Sequence, residues 1–257
     1  MEMNFDIFNK NENCNVKAKF FYNKGTETKT NHVFIFCHGF CSGKGSNSVK
    51  LVAERLLEYN INSISFDFPG HIDSEQGTDK LLVDVCVSYI NTVENYVKKE
   101  FGNNVGISFY AISYGAYVLL NKLINDNSEY ENIILRSPAF NMKDIFVNCL
   151  LKEDFETFKK QGKAKSGHGG KIEVSYAFYE DLERHDVFKN YLQKRNILII
   201  QGEQDDTAPI TDTYEFINSR PEIELIKMKN MKHHMSEEEI DTVTDVMIEK
   251  LGIDKLT

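Results

Sequence analysis

Strand-length apolar runs alternate with longer stretches of helical period from about residue 30 to residue 251, which predicts an α/β fold with a mostly parallel sheet and helices on both faces. Two further observations sharpen this. The alternation stops over residues 139–193 and then resumes, so an insertion should sit above the strand ends as a lid. And Ser113, Asp205 and His233 each fall just after a predicted strand, where such sheets place their chemistry.

The runs 32–37, 61–66, 105–110, 133–135, 197–200 and 223–228 read as strands. Residues 49–59 place Val49, Val52, Ala53, Leu56 and Leu57 on one helical face. Further helices are predicted over 81–97, 114–124, near 212–218 and over 237–251. No repeat and no Pro/Gly/Ser-rich linker divides the 257 residues, so a single domain spanning 1–257 is expected.

Composition excludes some classes. No apolar run approaches the length a membrane span needs. A net charge of −9 argues against binding a nucleic-acid backbone, so neither nucleic acid nor membrane is an expected partner. The first residues lack the basic and apolar regions of a secretory signal, which points to the cytoplasm. Cys14, Cys37, Cys41, Cys86 and Cys149 are odd in number and lack metal-site spacing, so they read as reduced thiols.

The most informative stretch runs from Val105 to Ala116. An apolar strand enters Ala111-Ile112-Ser113-Tyr114-Gly115 and continues directly as an apolar helix. A serine hydroxyl is a weak nucleophile and must be held exposed beside a base. A sharp strand-to-helix turn does this, provided small residues flank the serine two places away. Gly115 fits, and Ala111 replaces the usual first glycine at some steric cost. The bland alternative makes Ser113 an ordinary helix N-cap.

His38-Gly39-Phe40 follows the first buried strand and matches a loop that aims a backbone N–H at a developing oxyanion. The two donors are then Phe40 and Tyr114, with His38 bracing the loop. Gly43-Lys44 also suggests a phosphate loop, but the P-loop pattern needs glycine at 38 and Ser or Thr at 45, where the chain has His38 and Gly45. Asp205, after the 197–200 strand, can hold a histidine's tautomer; it is favoured over the adjacent Asp206. His233 is favoured over His234 as the base. No H-E-x-x-H or cysteine partner supports a metal at this pair.

With these residues in place, the chain resembles the α/β-hydrolase superfamily, and within it the small cytoplasmic cinnamoyl and feruloyl-type acyl esterases. The resemblance covers roughly residues 30–250 and rests on His38-Gly39-Phe40, Asp67-Phe68-Pro69-Gly70-His71, Ala111-Ile112-Ser113-Tyr114-Gly115, Ser137-Pro138-Ala139, Gly202-Glu203-Gln204-Asp205 and Met231-Lys232-His233. It implies an eight-stranded sheet, a lid after the sixth strand, no cofactor, Asp205 as acid and His233 as base. Ala111 and Ile72 stand where that pattern has glycine.

The expected activity is cleavage of a small-molecule carboxylic ester through an acyl-enzyme on Ser113. An acyl-peptidase or thioesterase on the same triad, and a non-catalytic ligand-binding protein of the same fold, are the alternatives, because fold does not choose chemistry. Phe140, Phe146 and Phe158 of the insertion are expected to contact substrate. Lys159, Lys160, Lys163, Lys165 and Lys171 surround a Ser166-Gly167-His168-Gly169-Gly170 turn, either a solvated turn or a basic rim that attracts an anion. Nothing in the sequence indicates an oligomeric state.

Overall fold

The computed structural model describes residues 1–25, 30–167 and 169–253. Its strands are β1 (Glu2–Asn9), β2 (Cys14–Phe21), β3 (His32–Cys37), β4 (Asn62–Phe66), β5 (Gly106–Ile112), β6 (Asn132–Arg136), β7 (Lys163–Ser166), β8 (Ile172–Ser175), β9 (Ile197–Gly202) and β10 (Ile223–Met228). Its helices are α1 (Asn47–Leu57), α2 (Val83–Phe101), α3 (Tyr114–Ile124), α4 (Met142–Ile145), α5 (Phe155–Gln161), α6 (Tyr176–Arg184), α7 (Val187–Asn190), α8 (Ile210–Ile217) and α9 (Glu237–Leu251).

The central strands are apolar throughout because both faces are covered. In β3, Val33, Ile35 and Cys37 enter one core while Phe34 and Phe36 enter the other. β5 divides the same way, with Ile107, Phe109 and Ala111 against Tyr110 and Ile112. α2 and α3 fill the first core, and α1 and α9 the second. A capping box between Ser236 and Glu239 starts α9 where the sequence predicts it.

The eight-stranded sheet has the order β1-β2-β4-β3-β5-β6-β9-β10. β3, β4, β5, β6, β9 and β10 pair in parallel, while β1 and β2 form an antiparallel hairpin that joins β4 antiparallel. The sheet has the expected eight strands, two of which, β1 and β2, lie before the region where the apolar alternation begins. These two are half-buried and charged: Val16, Ala18 and Phe20 face the core while Lys17 lies opposite Asp6 across the pair, with Nζ 2.8 Å from Oδ2.

The break in alternation is real. Between β6 and β9 lie α4, a π-helical turn (Phe146–Leu150), α5, the small β7–β8 hairpin, α6 and α7. The hairpin is a departure from expectation, since the 139–193 segment shows no buried apolar run. Among the described residues no helix is long and apolar enough to cross a membrane.

Candidate active site

Parallel strands β3, β5, β6, β9 and β10 bring their C-terminal ends to one edge, and the turns after them carry the polar residues singled out above. At the end of β5 the chain reverses into α3 within one residue. Ser113 takes φ 51° and ψ −113°, a conformation few side-chain-bearing residues adopt. Its N–H donates to the Arg136 carbonyl at 3.0 Å, and its carbonyl accepts from Ala116, Tyr117 and Ala139. The strained turn is thus held by β6 on one side and by α3 on the other.

Gly115 explains the small-residue rule at this turn. A Cβ there would lie 2.3 Å from the Cys37 carbonyl oxygen, so only glycine lets α3 start against β3. Ala111 is buried between Cys37 of β3 and Leu135 of β6, and its methyl group is accommodated in the core. The departure at the first small position is therefore tolerated and the one at the second would not be.

The turn after β9 carries Asp205. Gly202 sits so close to the next loop that a Cβ would meet the Met231 carbonyl oxygen at 2.2 Å, and Gln204 N–H donates to that same carbonyl at 3.0 Å. This close approach sets His233 beside Asp205. His233 Nδ1 lies 3.0 Å from both Asp205 oxygens, and His233 Nε2 lies 3.0 Å from Ser113 Oγ. Asp205 Oδ1 also accepts the N–H groups of Thr207, at 3.1 Å, and Ala208, at 2.8 Å. Burial pushes this carboxyl up, yet the His233 contact and the two amides outweigh it and hold the pKa below the usual carboxylate value. Asp205 therefore stays ionised, and its stabilisation is lost only as the pH falls through that lowered value. Asp206 instead faces solvent beside Lys232 at 3.6 Å, and His234 stacks edge-on against His233.

No family model matches the chain, and no curated protein matches it. Solved structures do. Est1E from Butyrivibrio proteoclasticus, determined with ferulic acid bound, superposes with a TM-score of 0.76 at 18% identity, covering 96% of this chain and 99% of that one. Alpha/beta hydrolase domain-containing protein 10 from mouse gives 0.77 at 17%, covering 99% and 100%. The esterase domain of a Rhodothermus marinus protein gives 0.71 at 16%, covering 96% of each. This chain has the α/β-hydrolase fold.

Within the α/β-hydrolase fold, the loop after β3 presses against the serine: a Cβ on Gly39 would lie 3.6 Å from Ser113 Cβ. Phe40 lines the same cavity as Ser113, its ring edge-on to Tyr114 at 5.7 Å. Tyr114 opens α3, and first-turn amides of a helix have no partner within it.

Two buried histidines brace this loop. His38 Nε2 accepts the Phe68 N–H at 3.0 Å, so Nδ1 carries the proton and donates to the Gly39 carbonyl at 2.8 Å. His71 repeats the pattern, accepting from Cys41 N–H at 3.0 Å and donating to the Pro69 carbonyl at 2.9 Å. Burial, reinforced by each other's proximity, drives the His38 pKa down to about 3; burial lowers His71 as well. Ile72, in place of the pattern's glycine, still adopts a left-handed φ of 41° and leaves its side chain exposed.

These lowered values predict acid sensitivity. The unfolded histidines protonate near the ordinary value of 6.5 while the folded ones stay neutral, so the unfolded state binds more protons as the pH falls. Stability should drop below about pH 6.5 by up to about 1.4 kcal/mol per pH unit for each buried ring. His32, lowered by its own burial, acts in the same direction. Urea unfolding midpoints between pH 7.5 and 5 measure this, and a flat profile would contradict it.

Lys44 is no phosphate-loop lysine. Its ammonium contacts buried Asp67 at 2.5 Å and Asp73 at 2.6 Å, which ties the loop after β3 to the loop after β4. The lysines around the β7–β8 turn include Lys163, paired with Glu173 at 3.0 Å; His168 of that turn lies outside the described residues.

The cavity holding Ser113 and His233 measures about 170 Å³, and the insertion contributes Met142, Ile145, Cys149 and Leu150 to its wall. The insertion's Phe140, Phe146 and Phe158 are not among the residues that line this cavity. Phe140 stacks on Phe216, while Phe146 packs against Phe158 and Phe178, all buried in the core. They lie on the inner faces of their segments because those faces cover α8 and one another. Arg136 also lines the cavity and was not singled out from the sequence. Its only signal there is a charge ending an otherwise apolar strand. A larger hollow of about 940 Å³ between α2 and α3 shares no residue with this cavity.

Proposed function

We propose that this chain is a serine hydrolase that cleaves carboxylic esters through an acyl-enzyme on Ser113. The observation that carries the reading is the unbroken hydrogen-bonded line from Ser113 Oγ through both nitrogens of His233 to Asp205. In this reading His233, its Nδ1–H held by Asp205, takes the Ser113 proton at Nε2 as Oγ attacks the carbonyl carbon. The amides of Phe40 and Tyr114 receive the oxyanion. Collapse expels the alkoxide, which takes the proton back from His233, and water repeats the sequence to release the acid. The 139–193 insertion acts as a lid on one catalytic domain and sets the acyl preference through Met142, Ile145 and Leu150. Esterases among the structural neighbours support the choice of ester over other acyl bonds.

A fluorophosphonate probe tests the nucleophile, and a panel of aryl and alkyl esters, acyl thioesters and short peptides tests the bond. Labelling at Ser113 with fastest turnover of esters is expected. An unlabelled protein that turns over nothing in the panel would refute the reading.

A further inference from the structure

β6 is apolar between its first residue, Asn132, and its last. Ile133, Ile134 and Leu135 are buried, and Arg136 follows with only 5% of its surface exposed. Register sets it between Ile112 of β5 and Ile200 of β9, neither of which offers a side-chain acceptor. Alternation turns it to the sheet face of Ile134, the face covered by α1 and α9. Its Nε and Nη1 are buried with no hydrogen-bond partner, and among the described residues no carboxylate pairs with the guanidinium.

Other buried cations of this chain are compensated. Lys44 has Asp67 and Asp73, and Lys122 has Glu94 at 2.9 Å together with Asp126. A buried charge left unpaired is strongly unfavourable and persists where something else requires it. Arg136 has a place that could require it, because it lines the Ser113 cavity and its carbonyl holds the Ser113 N–H.

We propose that Arg136 is the carboxylate-binding group of this cavity, so that the ester cleaved here carries a carboxylate on its acyl or its alcohol part. The inference rests on the reading of Ser113 as nucleophile. A planar guanidinium whose charge has no partner among the described residues suits a carboxylate. Among the described residues no lysine or second arginine lines the cavity, which suits a monoanionic carboxylate better than a dianionic phosphate. The volume of about 170 Å³ limits the group to a short chain. The approach is also favourable. Gly167 of the β7–β8 turn packs so closely on Cys41 that a Cβ would meet its Sγ at 2.1 Å, and Lys152 and Lys171 lie near the same cysteine of the loop after β3. In a chain of net charge −9 they form a local positive rim at the site.

The test compares kcat/KM for monoethyl succinate, anionic in its acyl part, and O-butyryl glycolate, anionic in its alcohol part, with that for neutral ethyl butyrate. One charged ester should exceed ethyl butyrate by roughly tenfold or more, and Arg136→Met should lower that ratio by roughly 30-fold. Methionine removes an unpaired charge at similar volume, so the fold is expected to persist; Arg136→Gln serves as a second variant. A wild-type ratio of one or less for both charged esters, or a ratio unchanged in both variants, overturns the proposal. Succinate binding by calorimetry needs no turnover. Ser113→Ala should bind succinate and Ser113→Ala/Arg136→Met should not. Equal binding, or none to either, overturns the proposal. If no ester is cleaved while succinate binding still depends on Arg136, the anion site stands and the hydrolase reading falls.

Discussion

Ser113→Ala is expected to lower ester turnover by on the order of 10⁶-fold while the protein keeps its fold and its unfolding midpoint. On the proposed reading the hydroxyl attacks, and among the described residues it is the group that lies 3.0 Å from His233 Nε2. The backbone that holds position 113 does not depend on the hydroxyl: the N–H bond to the Arg136 carbonyl and the three bonds to the Ser113 carbonyl are all main-chain. Alanine at φ 51° carries the same strain as serine, so stability should move little. Residual acceleration from the oxyanion donors is expected to survive. Single-turnover and steady-state kinetics with the ester preferred by the wild type measure the loss. Turnover near the wild-type rate would show that another group attacks.

Asp205→Asn should cost on the order of 10,000-fold, whereas Asp206→Asn should cost a few-fold at most. Asp205 accepts three N–H groups, from His233, Thr207 and Ala208. An amide presents only one accepting atom. If its oxygen stays with the two backbone amides, its NH₂ faces Nδ1 and forces the opposite tautomer, which leaves Nε2 carrying a proton and unable to take one from Ser113. Asp206 meets exposed Lys232 at 3.6 Å, a surface pair of little energetic weight. Parallel kcat/KM measurements decide the matter, and equal, small effects would overturn the assignment of the acid.

What the sequence discloses here depends on whether a physical constraint leaves a local trace. β3 and β5 are legible because burial on both faces demands uninterrupted apolar residues. The serine turn is legible because the Cys37 carbonyl forbids any side chain at Gly115, and this constraint outlives the loss of glycine at Ala111. β1 and β2 leave a fainter trace, since one face of each meets water and their lysines and acids pair across the hairpin. The insertion is the least legible part. Phe140, Phe146 and Phe158 share composition with a substrate pocket, but which face of a short helix turns inward depends on its neighbours, and here Phe216 packs on Phe140, Phe178 on Phe146, and Phe146 on Phe158. Arg136 is hidden for a different reason: a charged residue closing a strand normally marks its exit to solvent, and only the register beside Ile112 and Ile200 shows that it does not leave the core.

The bond from Ala139 N–H to the Ser113 carbonyl bears on how this scaffold could be re-engineered. It welds the root of the insertion to the Ser113 turn, so a foreign segment grafted at residue 138 would disturb that serine. Splice points placed after Ala139 and before Ile197, where β9 begins, leave that weld and the sheet intact. An exchanged segment must still cover Phe216 of α8, on which Phe140 stacks, while Asp205, His233 and Ser113 all hang from strands that the segment does not contain.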